Sequence, residues 1–168
     1  MNEFKVMVPG ASAADVVEIT SPYDGAVVGS VERIDEEGAD RALNNASELF
    51  NDRSRWLPVH ERVEVLEKTA ELMQAQFDEL VNLALSEGGK PFTDSQVEVA
   101  RAIDGMKNCI ECVRSEHGTE IPMGINPASS NRLAMTSKEP IGPVMAVSAF
   151  NHPLNLIVHQ VGPAVASG

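Results

Sequence analysis

From Val59 to Ala84 the chain sets an apolar residue at alternating steps of four and three without a break: Val59, Val63, Leu66, Ala70, Met73, Phe77, Leu80 and Ala84. Only an α-helix gathers such positions onto one stripe, so the spacing predicts a helix from Pro58 to about Ser86, with Pro58 in its favoured first-turn place. Gly88 and Gly89 stop that helix and Pro91 prevents its resumption. A stripe this long has to be covered. Asp94 to Arg114 offers one cover, with Val99, Ile103, Met106, Ile110 and Val113 at the same spacing. Glu36 to Phe50 offers another, placing Ala39, Ala42, Leu43, Ala46, Leu49 and Phe50 on one side. Antiparallel helices inside one chain satisfy the stripe, and so does a seam between two chains. The second arrangement makes the protein a non-catalytic helical self-association module.

The flanks read differently. Val16 to Thr20, the turn Pro22-Tyr23-Asp24-Gly25 and Ala26 to Arg33 form a β-hairpin pattern. After His117-Gly118, Thr119 to Ile121 and Asn131 to Lys138 are short strands around a loop with Pro122, Gly124 and Asn126-Pro127. Val144 to Ala149 is apolar on both faces, as a strand covered on each side of a parallel sheet would be. Phe150-Asn151-His152 is a turn, and Pro153 opens a helical pattern through Leu154, Ile157, Val158 and Val161. Strand, turn and helix are the opening of a βαβ unit whose second strand is absent. The fold class is α/β. Four parts follow: 1–34, an N-terminal segment and hairpin; 35–116, helical; 117–139, a β-hairpin; and 140–168, strand-turn-helix.

Charge and cysteine count exclude several functions. A formal net charge of −12 over 168 residues argues against nucleic acid, whose affinity comes mainly from Lys and Arg. No apolar run reaches the ~20 residues of a membrane span. Val6-Met7-Val8 is too short for a signal-peptide core. Two cysteines make no disulfide framework, which points to the reducing cytoplasm. Cys109 and Cys112 form a C-x-x-C pair, but with no second pair there is no four-ligand zinc site, so no metal is expected.

Glu139-Pro140-Ile141-Gly142-Pro143 and the following residues through Leu154 resemble the stretch that carries the Pro-Trp-Asn-Phe-Pro motif of aldehyde dehydrogenases. Ala149-Phe150 stand where that motif has Pro-Trp, and His152 replaces an aromatic. Gly162-Pro163-Ala164-Val165-Ala166-Ser167-Gly168 and Glu87-Gly88-Gly89-Lys90-Pro91 are also similar to the family, and Trp56, Arg62 and Leu66 add to the agreement. The resemblance runs from about Thr20 to Gly168 and includes the lactaldehyde and non-phosphorylating glyceraldehyde-3-phosphate dehydrogenase branches.

It implies the N-terminal part of the aldehyde dehydrogenase fold, leading into an incomplete Rossmann-like domain. The implied reaction oxidises a small aldehyde to a carboxylic acid with NAD or NADP through a cysteine thioester. The family's nucleophile, base and most of its cofactor site lie further along, so the chain is expected to be inactive alone. By position in the motif, Asn151 is the oxyanion donor; on the residues alone, it caps the helix at Pro153. Val147, Ser148, Ala149 and Phe150 match positions on the nicotinamide side of the cofactor cleft. Arg101 resembles an Arg of members that take anionic aldehydes; on spacing alone it is a surface partner of Glu98. Asn155 and His159 follow Asn151 at i+4 and i+8, a spacing that could turn all three towards a substrate tunnel. The resemblance also implies homo-oligomers, with Asn131 to Lys138 in an extending hairpin.

Overall fold

The long stripe is covered inside the chain. The computed structural model describes residues 2–168, and in it two helices, α2 (Val59–Ala75) and α3 (Phe77–Gly88), lie against a third, α4 (Phe92–Ser115). Val63, Leu66, Ala70, Met73 and Val81 meet Val99, Ala102, Ile103, Met106 and Ile110 in one core. Burying a side chain of this size contributes about 1.5–3 kcal/mol. The seam is therefore spent within one molecule, which removes the basis for a module that self-associates through it.

The single helix expected over 58–86 is two. Gln76 leaves helical geometry, with φ −102° and ψ 20°. The hydrogen-bond ladder bridges the break, since the Gln76 N–H donates to the Leu72 carbonyl at 3.0 Å and its own carbonyl accepts from Leu80 at 2.9 Å. No Gly or Pro marks this place; packing of both halves on α4 overrides a local preference for continuity.

α4 also carries α5 (Pro153–Ser167), whose Val158 and Ala166 complete the same core. The two helices approach closely at glycines. A Cβ on Gly105 would stand 3.2 Å from Val158 Cγ1, and one on Gly162 would stand 3.1 Å from Cys109 Sγ.

The expected stripe of α1 (Glu36–Asn51) does not go inside: Gly38 is its one buried residue, and Leu43 is 58% exposed. Asp35 caps this helix by accepting from the Gly38 N–H at 2.9 Å. Its far end is held by Trp56, which stacks on Phe50 at 5.8 Å and donates from Nε1 to the Phe50 carbonyl. An apolar periodicity thus set the helix without supplying a neighbour to bury it.

The hairpin pairs β2 (Asp15–Thr20) antiparallel with β3 (Val27–Arg33), Val17 facing Val31. A strand absent from the sequence reading, β1 (Asn2–Phe4), adds in parallel on the far edge of β3. The later hairpin shrinks to β4 (Glu120–Ile121) and β5 (Ala134–Met135), leaving Ile121, Leu133 and Met135 exposed. Val144 to Ala149 is not a strand, contrary to expectation. A strand is defined by its partner, and among the described residues none pairs with it, so Val144, Met145 and Val147 face outward. Among the described residues no helix is long and apolar enough to cross a membrane.

Candidate functional site

The corner between Val144–Ala149 and α5 is held by side chains from elsewhere. Pro153 starts α5 and His152 stands at the N-cap position without a side-chain capping bond. The first-turn N–H groups of a helix need acceptors. Glu98 of α4, only 2% exposed, supplies one: its Oε1 accepts from the Leu154 N–H at 2.9 Å and the Asn155 N–H at 3.0 Å. The local alternative, Asn151 as cap, is not used.

Glu98 Oε2 pairs with the Lys90 ammonium, whose side chain is 10% exposed. Lys90 Nζ also lies 2.7 Å from His152 Nδ1. An ammonium only donates, so this contact makes Nδ1 the acceptor and leaves the imidazole proton on Nε2. Lys90 is placed by the turn that ends α3. There Gly89 takes φ 62°, a left-handed conformation suited to glycine, and Pro91 leads straight into α4.

The charges are balanced. Burial pushes the Glu98 carboxyl up, but the Lys90 bond and the Asn155 and Leu154 amides outweigh it and hold it below the usual range. The neighbouring Glu87 carboxyl goes the other way, raised by burial and by the charge on Glu98.

The opposite end of α5 has its own clamp. Arg62 of α2 donates from Nη1 to the Ala166 carbonyl at 2.5 Å. A carboxylate at the N-terminus and a guanidinium at the C-terminus both match the helix dipole.

Asn151 sits on this corner, exposed, and among the described residues its side chain makes no hydrogen bond. Before it, Val147 is tied to α5 through its carbonyl, which accepts from Gln160 Nε2 at 2.9 Å. Ser148 Oγ donates towards the Pro153 carbonyl at 3.3 Å, while Ala149 and Phe150 are exposed. Asn155 and His159 do not join Asn151 on one open face. Asn155 is 7% exposed, on the buried stripe of α5 with Val158 and Gly162, its Oδ1 without a partner among the described residues, whereas His159 is exposed. Arg101 is exposed on α4. The surface pairing with Glu98 does not form, because Glu98 points inward to Lys90 and α5.

Cys109 and Cys112 are both free, and burial pushes the Cys109 thiol up, away from the thiolate a nucleophile needs. Among the described residues no group of three or more His, Cys, Asp or Glu side chains could hold a metal. A groove of about 850 Å³ between α2 and α4, lined by Glu67, Gln74, Lys107 and Glu111, lies apart from the corner residues.

The sequence reading missed Glu98 and Lys90 as the fixtures of the corner, and Arg62 as the clamp at the far end of α5. One signal was available: Ser95, Glu98, Ala102 and Met106 follow three- and four-residue steps, so Glu98 occupies an apolar-stripe position.

Residues 8–168 match the aldehyde dehydrogenase family. The chain is 31% identical over 157 residues to 3-sulfolactaldehyde dehydrogenase of Priestia aryabhattai, an alignment covering 94% of this chain and 32% of that protein. Its structure superposes on aldehyde dehydrogenase 21 from Physcomitrella patens, in complex with the reaction product succinate, with TM-score 0.85 and 29% identity over 100% of this chain and 36% of that one. It also superposes on a glyceraldehyde-3-phosphate dehydrogenase from Methanocaldococcus jannaschii complexed with NADP, with TM-score 0.80 and 30% identity over 90% of this chain and 32% of that one. The chain spans about a third of the length of these relatives.

Proposed function

The chain belongs to the aldehyde dehydrogenase family, and on that footing we propose that it supplies the oxyanion donor and one wall of the cofactor cleft in an enzyme that oxidises an aldehyde to a carboxylic acid. The observation that carries this reading is the corner itself. Asn151 is exposed and uncommitted, while the helix start beneath it is capped from α4. A neutral amide donates to the oxygen that gains negative charge as a thiolate adds to the aldehyde, and it leaves the thiolate unquenched. Neither Cys109, half-buried with a raised thiol, nor Cys112, on α4 and outside the corner, suits the nucleophile. That role belongs to polypeptide beyond these residues, and the chain alone is not expected to turn over.

NAD or NADP is the proposed cofactor, and the nicotinamide supplies the hydride acceptor. Val147, Ser148, Ala149 and Phe150 fit a wall beside a flat ring, because they are exposed and their segment is tied to α5. The phosphates have no place at the start of α5, since Glu98 already occupies its leading N–H groups.

Arg101, exposed and unpaired among the described residues, is the proposed contact for an anionic aldehyde. His159 stays a candidate substrate contact. For Asn155 the candidacy rests on its buried Oδ1, which lacks a partner among the described residues. The exposed Ile121, Leu133 and Met135 of the β4–β5 hairpin are the proposed homo-oligomer surface, and the cytoplasm is the proposed setting.

The test replaces Asn151 by Ala in the full-length enzyme and follows NADH or NADPH formation. Loss of one oxyanion donor lowers kcat by about 10²–10³-fold. An undiminished kcat removes Asn151 from the chemistry.

A further inference from the structure

We propose that Glu98 is a positioning residue for the Asn151 amide, acting through the first turn of α5; this rests on the oxyanion reading of Asn151. A helix start is ordinarily capped by the residue at the corner, and here Asn151 and His152 are both available for that work. Neither does it. The cap comes from α4, one carboxylate oxygen receiving two consecutive N–H groups at 2.9 and 3.0 Å. Moving the cap off the corner releases the Asn151 amide to donate outward.

The same carboxylate fixes the corner a second time. Its other oxygen holds Lys90, and Lys90 donates to His152, the neighbour of Asn151 in the chain. The backbone on the C-terminal side of Asn151 is thus anchored by amides and by a side chain, and both anchors end on Glu98. Lys90 has an electrostatic part as well. An unpaired carboxylate beneath the corner would repel the oxyanion that Asn151 is there to receive, and the ammonium cancels that charge. Glu98 is buried beneath the corner and its charge is met by Lys90, so its effect on the reaction runs chiefly through where Asn151 points.

The test is a double-mutant cycle in the full-length enzyme with Glu98→Gln, Asn151→Ala and both together. Glutamine keeps an oxygen for the two N–H groups but turns a donor towards Lys90. Misplacing the donor should lower kcat between about tenfold and a hundredfold, with KM for the aldehyde nearly unchanged. On the Asn151→Ala background the same substitution should cost little further, because no donor is left to misplace. An independent structural effect would instead persist at full size in the double variant, and that result overturns the proposal. So does a Glu98→Gln enzyme with normal kcat while Asn151→Ala is impaired. If Asn151→Ala itself is undiminished, the oxyanion reading falls and takes this one with it. Glu98→Asp keeps the charge beside Lys90 but is too short to reach both amides, and covers the case of a glutamine variant that does not fold; it should show the same dependence on Asn151. In the 168-residue chain, Glu98→Gln should shift the Leu154 and Asn155 amide proton resonances upfield, and unmoved resonances refute the cap.

Discussion

Replacing Lys90 by Met tests whether the buried pair is a real electrostatic fixture. Methionine keeps most of the side-chain volume and removes the charge. The Glu98 side chain is 0% exposed and that of Lys90 10%, so the carboxylate would have no water to take the ammonium's place. Removing one partner of such a pair costs roughly 3–5 kcal/mol. The Leu154 and Asn155 amides remain, and a helix N-terminus returns up to about 2 kcal/mol to a nearby anion. The expected net loss is about 1–3 kcal/mol near neutral pH.

The pH dependence sharpens the test. In the unaltered chain the Glu98 carboxyl lies below its ordinary value. Its contribution is therefore complete above the unfolded-chain pKa of about 4.3 and is lost as pH falls through the lower folded value. In the variant burial dominates and the carboxyl moves up, so the penalty grows as pH rises above that same unfolded value. The stability gap between the two proteins should be wide at neutral pH and narrow towards about pH 4. Urea unfolding followed by helical circular dichroism, with an unchanged m-value, measures it. A neutral-pH gap under about 1 kcal/mol, or one equal at both pH values, refutes the reasoning.

Two further outcomes are expected. Ile103→Ala, in the core at 3% exposure, should cost about 2–5 kcal/mol in the same unfolding assay, whereas Leu43→Ala on the exposed side of α1 should stay within about 0.5 kcal/mol; equal losses would mean that α1 is covered after all. Arg101→Ala in the full-length enzyme should raise KM chiefly for anionic aldehydes, and an equal rise for neutral ones would remove the clamp.

Periodicity carried much of the architecture. The spacing from Val59 to Ala84 and from Val99 to Val113 named the faces that α2, α3 and α4 bury against one another. It named faces, however, and not neighbours. The stripe of α1 has equal regularity and finds no partner to bury it among the described residues, and the bend at Gln76 has no Gly or Pro to announce it. Val144 to Ala149 has strand composition, yet a ladder needs a second strand that composition does not provide. At the candidate site the motif located Asn151, and the turn with Pro153 located the corner. What sets the corner was hidden by distance: Glu98 is 56 residues from Leu154 and Lys90 is 62 from His152. Glu98 read as a surface residue beside Arg101 because a charge on a helix is usually solvated. Asn155 read as open for a similar reason, and is buried instead.

The two clamps on α5 tie three separated codons to one helix: Arg62 from α2, Lys90 from the turn after α3, and Glu98 from α4. Drift at any one of them is penalised while the others stand, since each loss strands a charge or an unmet backbone group. Lineages carrying this corner are therefore expected to exchange Lys90 and Glu98 together or not at all, a pairwise inheritance in which surface positions such as Leu43 have no part.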